Sequence, residues 1–208
     1  MRRVLSIVFI LVLTVSVSIA PAGAAPAVYA GVASIGGYHI SWVEGLQAEG
    51  QYLRDQVVKL DGQIYAELGA KTSGDITISL ARNAADMRAL AVLEQGGAPP
   101  DWADGLAFPT RRAIYLHADA PLSSLRVTLA HEISHIAFGD VPGGHKAPRW
   151  LKEGLAVWQS EGAALDRIWA LTEAATMGRL IPVSQLQGRF PRSGKRAGLA
   201  YAQSVHLV

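Results

Sequence analysis

The chain has 208 residues, half of them hydrophobic, and no cysteine. That length is enough to bury one good-sized core, and the missing thiols exclude a disulfide scaffold, a thiolate metal ligand and a cysteine nucleophile. The 19 basic and 17 acidic residues become 17 and 17 once Arg2 and Arg3 are set aside with the N-terminal segment, a balance that argues against a nucleic-acid partner.

Arg2 and Arg3 precede an apolar run from Val4 to Ile19, and Pro21-Ala22-Gly23-Ala24-Ala25 follows with small residues at the spacing a signal peptidase reads. Residues 1–24 are therefore expected to be a signal peptide, leaving an exported protein, periplasmic or extracellular, with no stable membrane span after cleavage. The alternative is an uncleaved N-terminal anchor, for which the run is short and its downstream flank lacks basic residues. Residues 25–40 show little pattern and read as a flexible mature N-terminus. From Ser41 to Leu68 the spacing of Trp42, Leu46, Leu53, Val57, Leu60 and Ile64 predicts a helical segment, closing at Gly69 and weakened by Gly45, Gly50 and Gly62. This assigns residues 41–70 to an N-terminal helical segment and residues 71–208 to one domain.

Within that domain Asp75 to Leu80 alternates polar and apolar residues, as a half-buried strand does. Asn83 then caps a short helix carrying Met87, Leu90 and Leu93, and Gln95 to Asp104 reads as a loop. Gly105 to Phe108 and Ala113 to His117 read as two strands around a solvated Pro109-Thr110-Arg111-Arg112 turn. The three strands predict an α+β fold with a small mixed or antiparallel sheet ahead of the next helix.

That helix is expected from Leu125 to Phe138, with Ser123 or Ser124 as N-cap and Gly139 as the residue that ends it. It contains His131-Glu132-Ile133-Ser134-His135, an H-E-x-x-H pattern. At about 100° per residue the two histidines lie about 40° apart, so both imidazoles can reach one ion, while Leu125, Leu129, Ile133 and Ile136 gather on the opposite face. A loop from Gly139 to Ala147 leads to a helix starting near Pro148. There Glu153 is opposite Leu151, Leu155 and Trp158 by the same arithmetic. A further helix is expected over Ala164 to Met177 and an irregular loop over Ile181 to Lys195. An apolar pattern resumes from Leu199 to Val208, and with no cap or polar tail after it the natural chain is expected to continue.

Two histidines and one carboxylate form a zinc-ligand set with room for a water, and Glu132, rotated out of the ligand line, is placed to move that water's proton. His145, in the connecting loop, is the rival third ligand. A later histidine of the metzincin kind is excluded because Phe138 and Val141 stand where the glycine and histidine would be.

The combination of His131-Glu132-x-x-His135 with Glu153 inside Trp150-Leu151-x-Glu153-Gly154-Leu155-Ala156 resembles the gluzincin metallopeptidases, in particular the bacterial peptidase MA-like domains, over roughly the last two-thirds of the chain. The resemblance implies a thermolysin-like α+β core, one Zn2+ held by His131, His135 and Glu153, Glu132 as general base, and an edge strand that pairs with an extended peptide or protein substrate. It also implies a Tyr or His donor to the developing oxyanion. Tyr201 is the candidate, with His206 behind it and a core role for Tyr201 as the competing reading. One departure stands out: Val157 occupies the place where gluzincins often carry an acid that orients a zinc histidine, leaving a backbone carbonyl or Glu161 for that task. That departure keeps open a catalytically inactive zinc-binding or interaction module of the same fold, and a metal-free helical scaffold is the remaining reading. Trp150 and Trp158 are expected to pack, and His39 and His117 to be incidental.

Overall fold

A computed structural model describes residues 29–95, 103–161, 165–188, 190 and 194–208. The expected signal peptide, most of the Gln95 to Asp104 loop and the Pro191 stretch lie outside the described residues. The described residues form one mixed five-stranded sheet and seven α-helices. The expected α+β class holds, with the sheet mixed rather than antiparallel.

The first strands correct the sequence expectation. Residues 29–43 are neither patternless nor helical: Tyr29–Ile35 (β1) and Tyr38–Val43 (β2) form an antiparallel hairpin. Gly36 and Gly37 turn it at φ of 56° and 84°, the left-handed values a tight hairpin demands and glycine supplies without a Cβ penalty. Tyr38, Ile40 and Trp42 alternate inward, all buried. The helix α1 (Gln47–Glu67) begins only after Gly45 turns the chain, and buries Leu53, Val57, Leu60 and Ile64 as their spacing predicts. Gly50 is a packing residue, not a weak point. Trp42 is clasped between Gly31 and Gly50, where a Cβ on either glycine would overlap its indole.

Ile76–Ala81 (β3) and Ala113–His117 (β5) pair in parallel, β2 joins β3 in parallel, and Gly105–Phe108 (β4) runs antiparallel on the outer side of β5. The order is β1-β2-β3-β5-β4. As an inner strand β5 is buried on both faces. Ile114 and Leu116 point to a core shared with α1 and the helix α3 (Leu122–Asp140), while Ala113 and Tyr115 pack on the other face with Met87, Leu90 and Ala91 of α2 (Ala84–Gln95). Asn83 accepts the Asp86 amide hydrogen at 2.9 Å, the expected cap for α2.

Two expected details of α3 are also corrected. Pro121, not a serine, stands at the N-cap, and the helix runs through Gly139 to Asp140. A Cβ on Gly139 would come within 3.0 Å of Pro109 Cβ, so this glycine lets α3 lie against the turn after β4. Arg112 is likewise no solvated turn residue. Its guanidinium donates to both Asp140 oxygens at 2.7 and 3.0 Å and to the Gly74 carbonyl at 3.1 Å, and Asp140 also accepts the Tyr65 hydroxyl at 2.5 Å. Burial opposes ionisation of Asp140, and hydrogen bonds from Tyr65 and Arg112 outweigh it, holding the carboxyl below its usual range. This network fastens the end of α3 to α1 and to the entrance of β3.

The remaining helices are Arg149–Glu161 (α4), Leu165–Thr176 (α5), Val183–Leu186 (α6) and Lys195–Leu207 (α7). The expected irregular loop therefore contains a short helix and ends in the first residue of α7. Trp150 packs with a small cluster of Ile181, Leu186, Phe190 and Ala200 as expected, whereas Trp158 is half exposed. No helix among the described residues is long and apolar enough to cross a membrane.

The glycine clasp on Trp42 gives a test with an internal control. Gly50→Ala should cost about 1–3 kcal/mol in denaturant unfolding because the added methyl meets the indole ring. Gly62→Ala, on the same helix with open space around it, should gain roughly 0.5–1 kcal/mol from helix propensity.

Candidate metal centre

The core stripe predicted for α3 is buried as a unit: Leu125, Leu129, Ile133 and Ile136 are at most 2% exposed. Fixing that face against the sheet turns His131 and His135 the other way, toward a cleft. Their Nε2 atoms lie 3.2 Å apart, with the rings nearly perpendicular. The helix α4 brings Glu153 opposite them, and its Oε2 is 3.6 Å from each Nε2. Three donor atoms of the zinc-binding kind thus form a triangle with edges of 3.2–3.6 Å. Tetrahedral coordination with bonds of ~2.0–2.1 Å requires ligand separations of about 3.3 Å. The residues present fit a zinc ion, both in donor chemistry and in spacing.

Glu153 is buried, yet it stays ionised. Burial pushes its pKa up, and the neighbouring imidazoles of His131 and His135 together with the charge of Arg149 pull it well below the ordinary carboxylate range. The two carboxylate oxygens have different partners. Oε2 faces the imidazoles, while Oε1 accepts from Nε of Arg149 at 3.0 Å and has Nη2 as an ion-pair neighbour, also at 3.0 Å. Arg149 in turn lies over the Phe190 ring, 5.3 Å from its centroid.

Glu132 occupies the opposite electrostatic setting. It is buried beneath β4, and burial, followed by the nearby Glu153 charge, drives its pKa up against the attraction of His131 and a hydrogen bond donated by the Ala107 amide, to about 7. A cation among the ligands would favour its ionised form. The close approach of β4 depends on Gly105, where a Cβ would fall 2.6 Å from Thr128 Cγ2 and 2.9 Å from Glu132 Cγ and Oε1.

These groups line a cleft of about 1340 Å3, walled on one side by β4 and on the other by α5 and α7. Tyr201 of α7 lies in it, edge-on to Phe190 at 5.2 Å. Burial and the Glu153 charge raise its pKa against the opposing charge of Arg149, so the phenol keeps its proton. His206 is not in this cleft; it is exposed on a separate depression with Trp158, Ile168 and Val205. His145 borders the cleft on an exposed turn but lies outside the metal triangle. Val157 is 3% exposed and borders the cleft as well. Among the described residues, the hydrogen-bond and ion-pair partners of the two imidazoles are each other and Glu153. The side chain of Glu161 lies outside those residues. His39 pairs with Ser34 and Asp75, and His117 is buried beside Asp104 and Asp119, both away from the triangle.

The peptidase MA superfamily model matches residues 54–208. The chain belongs to the peptidase MA superfamily. In this peptidase MA member the match opens inside α1 and runs through the ligand helices to the last described residue, leaving the β1–β2 hairpin outside it. Peptidases of the superfamily typically use zinc, in keeping with the ligand triangle. Comparison with curated proteins and with solved structures finds no match.

Sequence reading missed Arg149, Gly105 and the Ala107 amide. Arg149 was within reach of a spacing argument, since it precedes Glu153 by four residues. The contact of β4 with Glu132 has no local signature, because it joins backbone to a side chain twenty-five residues away. Gly105→Ala should lower stability by about 1–3 kcal/mol in thermal unfolding, and adding Thr128→Ser, which removes Cγ2 but not the clash with Glu132, should recover only part of the loss. An unchanged midpoint for the single variant would contradict the close approach of β4 to α3.

Proposed function

We propose that this peptidase MA member is an exported zinc-dependent metallopeptidase that hydrolyses peptide bonds in a peptide or protein substrate. The observation that carries the reading is the convergence of His131 Nε2, His135 Nε2 and Glu153 Oε2 at tetrahedral ligand spacing beside a buried glutamate. Zinc held by those three atoms would supply Lewis acidity toward a carbonyl and a water. Glu132, buried beside those ligands, then takes the proton of the attacking water and delivers it to the leaving amine. Tyr201, protonated and in the same cleft, donates to the carbonyl oxygen as charge builds there. The outer edge of β4 gives an extended substrate a strand to lie beside. Export rests on the N-terminal sequence alone, with Arg2 and Arg3 ahead of the apolar run and small residues after it.

A second reading is a catalytically inactive zinc-binding module. It is favoured by Val157 in the place of an orienting acid and by imidazoles whose acidic partner, among the described residues, is Glu153 alone. One variant separates the readings. Glu132→Gln keeps the shape of the side chain and removes its basicity, so peptide hydrolysis should fall by about 10²- to 10⁴-fold with zinc content unchanged. Hydrolysis that persists at the parental rate would contradict the assigned base. Parent protein that binds zinc and cleaves no member of a diverse peptide library would establish the inactive module.

A further inference from the structure

Arg149 is the first residue of α4, four positions before Glu153. Local helix energetics do not explain its presence. A cation at a helix N-terminus opposes the helix dipole, and an i, i+4 pair with the base first is the less favourable order. What the guanidinium does instead is take one oxygen of a nearly buried carboxylate from two nitrogens, Nε and Nη2, each at 3.0 Å. Its own position is fixed by the Phe190 face, 5.3 Å away. A free carboxylate can bind a metal through either oxygen or through both. In this geometry Oε1 is already engaged, and Oε2 alone points to the two imidazole nitrogens at 3.6 Å.

We propose that Arg149 is a positioning residue that holds Glu153 by Oε1, so that the carboxylate meets the metal through Oε2 only and a coordination position stays open for water or substrate. This rests on the metal reading of the site. The consequence for Arg149→Met is a carboxylate freed to rotate and to bind through both oxygens, filling the position that a substrate needs.

The experiment uses the full chain loaded with Co2+ in place of Zn2+, whose visible absorption is intense for four ligands and weak for five. Co2+ and Zn2+ affinities are measured by chelator competition, and folding by circular dichroism. Arg149→Met should weaken metal affinity by about 10- to 100-fold and lower the intensity of the Co2+ band, and Arg149→Lys, which keeps the charge but not the fork, should recover part of the affinity without the full band. Parental affinity together with the parental band in Arg149→Met would overturn the proposal. If Arg149→Met does not fold, the same parental pair of results in Arg149→Lys overturns it, because a single ammonium cannot reproduce the two-nitrogen hold. Parent protein that binds neither ion defeats the metal reading itself, an outcome distinct from either of these.

Discussion

Three donor atoms carried by two separate helices have to arrive within about 3.3 Å of one another for a tetrahedral ion to be held, and the architecture around the site meets that constraint. On α3 the requirement is rotational: four buried aliphatic residues against the sheet fix which way His131 and His135 point. On α4 it is translational, and glycines set the distances. A Cβ on Gly154, next to Glu153, would overlap the Ser204 carbonyl of α7, and one on Gly144, in the turn between the ligand helices, would overlap the Phe138 carbonyl of α3. The Arg112, Asp140 and Tyr65 network ties the C-terminal end of α3 to α1.

The same arrangement separates two carboxylates by environment. Glu153 has a cation and two imidazoles beside it and stays charged in spite of burial; Glu132 lies under an apolar strand with Glu153 nearby, and its pKa climbs to about 7. A ligand must be anionic to hold a metal, and a proton carrier must be able to change state near neutral pH. The two environments push the two acids apart in the direction that the proposed ligand and proton carrier require. Arg149 belongs to the Glu153 side of that contrast, with its Nε donating to Glu153 Oε1 at 3.0 Å.

Much of this was legible in the sequence where it depended on period. The stripe Leu125, Leu129, Ile133 and Ile136, the helix from Leu53 to Ile64 and the strand expected over residues 75–80 follow from 3.6- and 2-residue repeats, whereas the stripe expected on α4 is corrected: Trp158 is half exposed, and Ala156, Val157 and Ser160 are buried on the side that carries Glu153. The hairpin of residues 29–43 was misread although its signals were present, with Gly36-Gly37 between alternating residues. Trp42 and Leu46 continue the helical spacing of α1 backward across the hairpin, and the small residues of the 29–37 stretch show little contrast between apolar and polar types. What the sequence could not reveal is what depends on backbone meeting side chain across the fold: Gly105 over Glu132, Gly154 under Ser204, and Arg112 reaching Asp140. Those contacts link residues with no common repeat, and only the assembled sheet and helices bring them together.

The central claim is that the triangle of His131, His135 and Glu153 holds one zinc ion, and metal content tests it most directly. Purified full-length protein, equilibrated with zinc and freed of loose metal, should contain one zinc per chain by elemental analysis, and His131→Ala, folded by circular dichroism, should contain almost none. A parent protein without stoichiometric zinc, or a variant that retains it, would contradict the account.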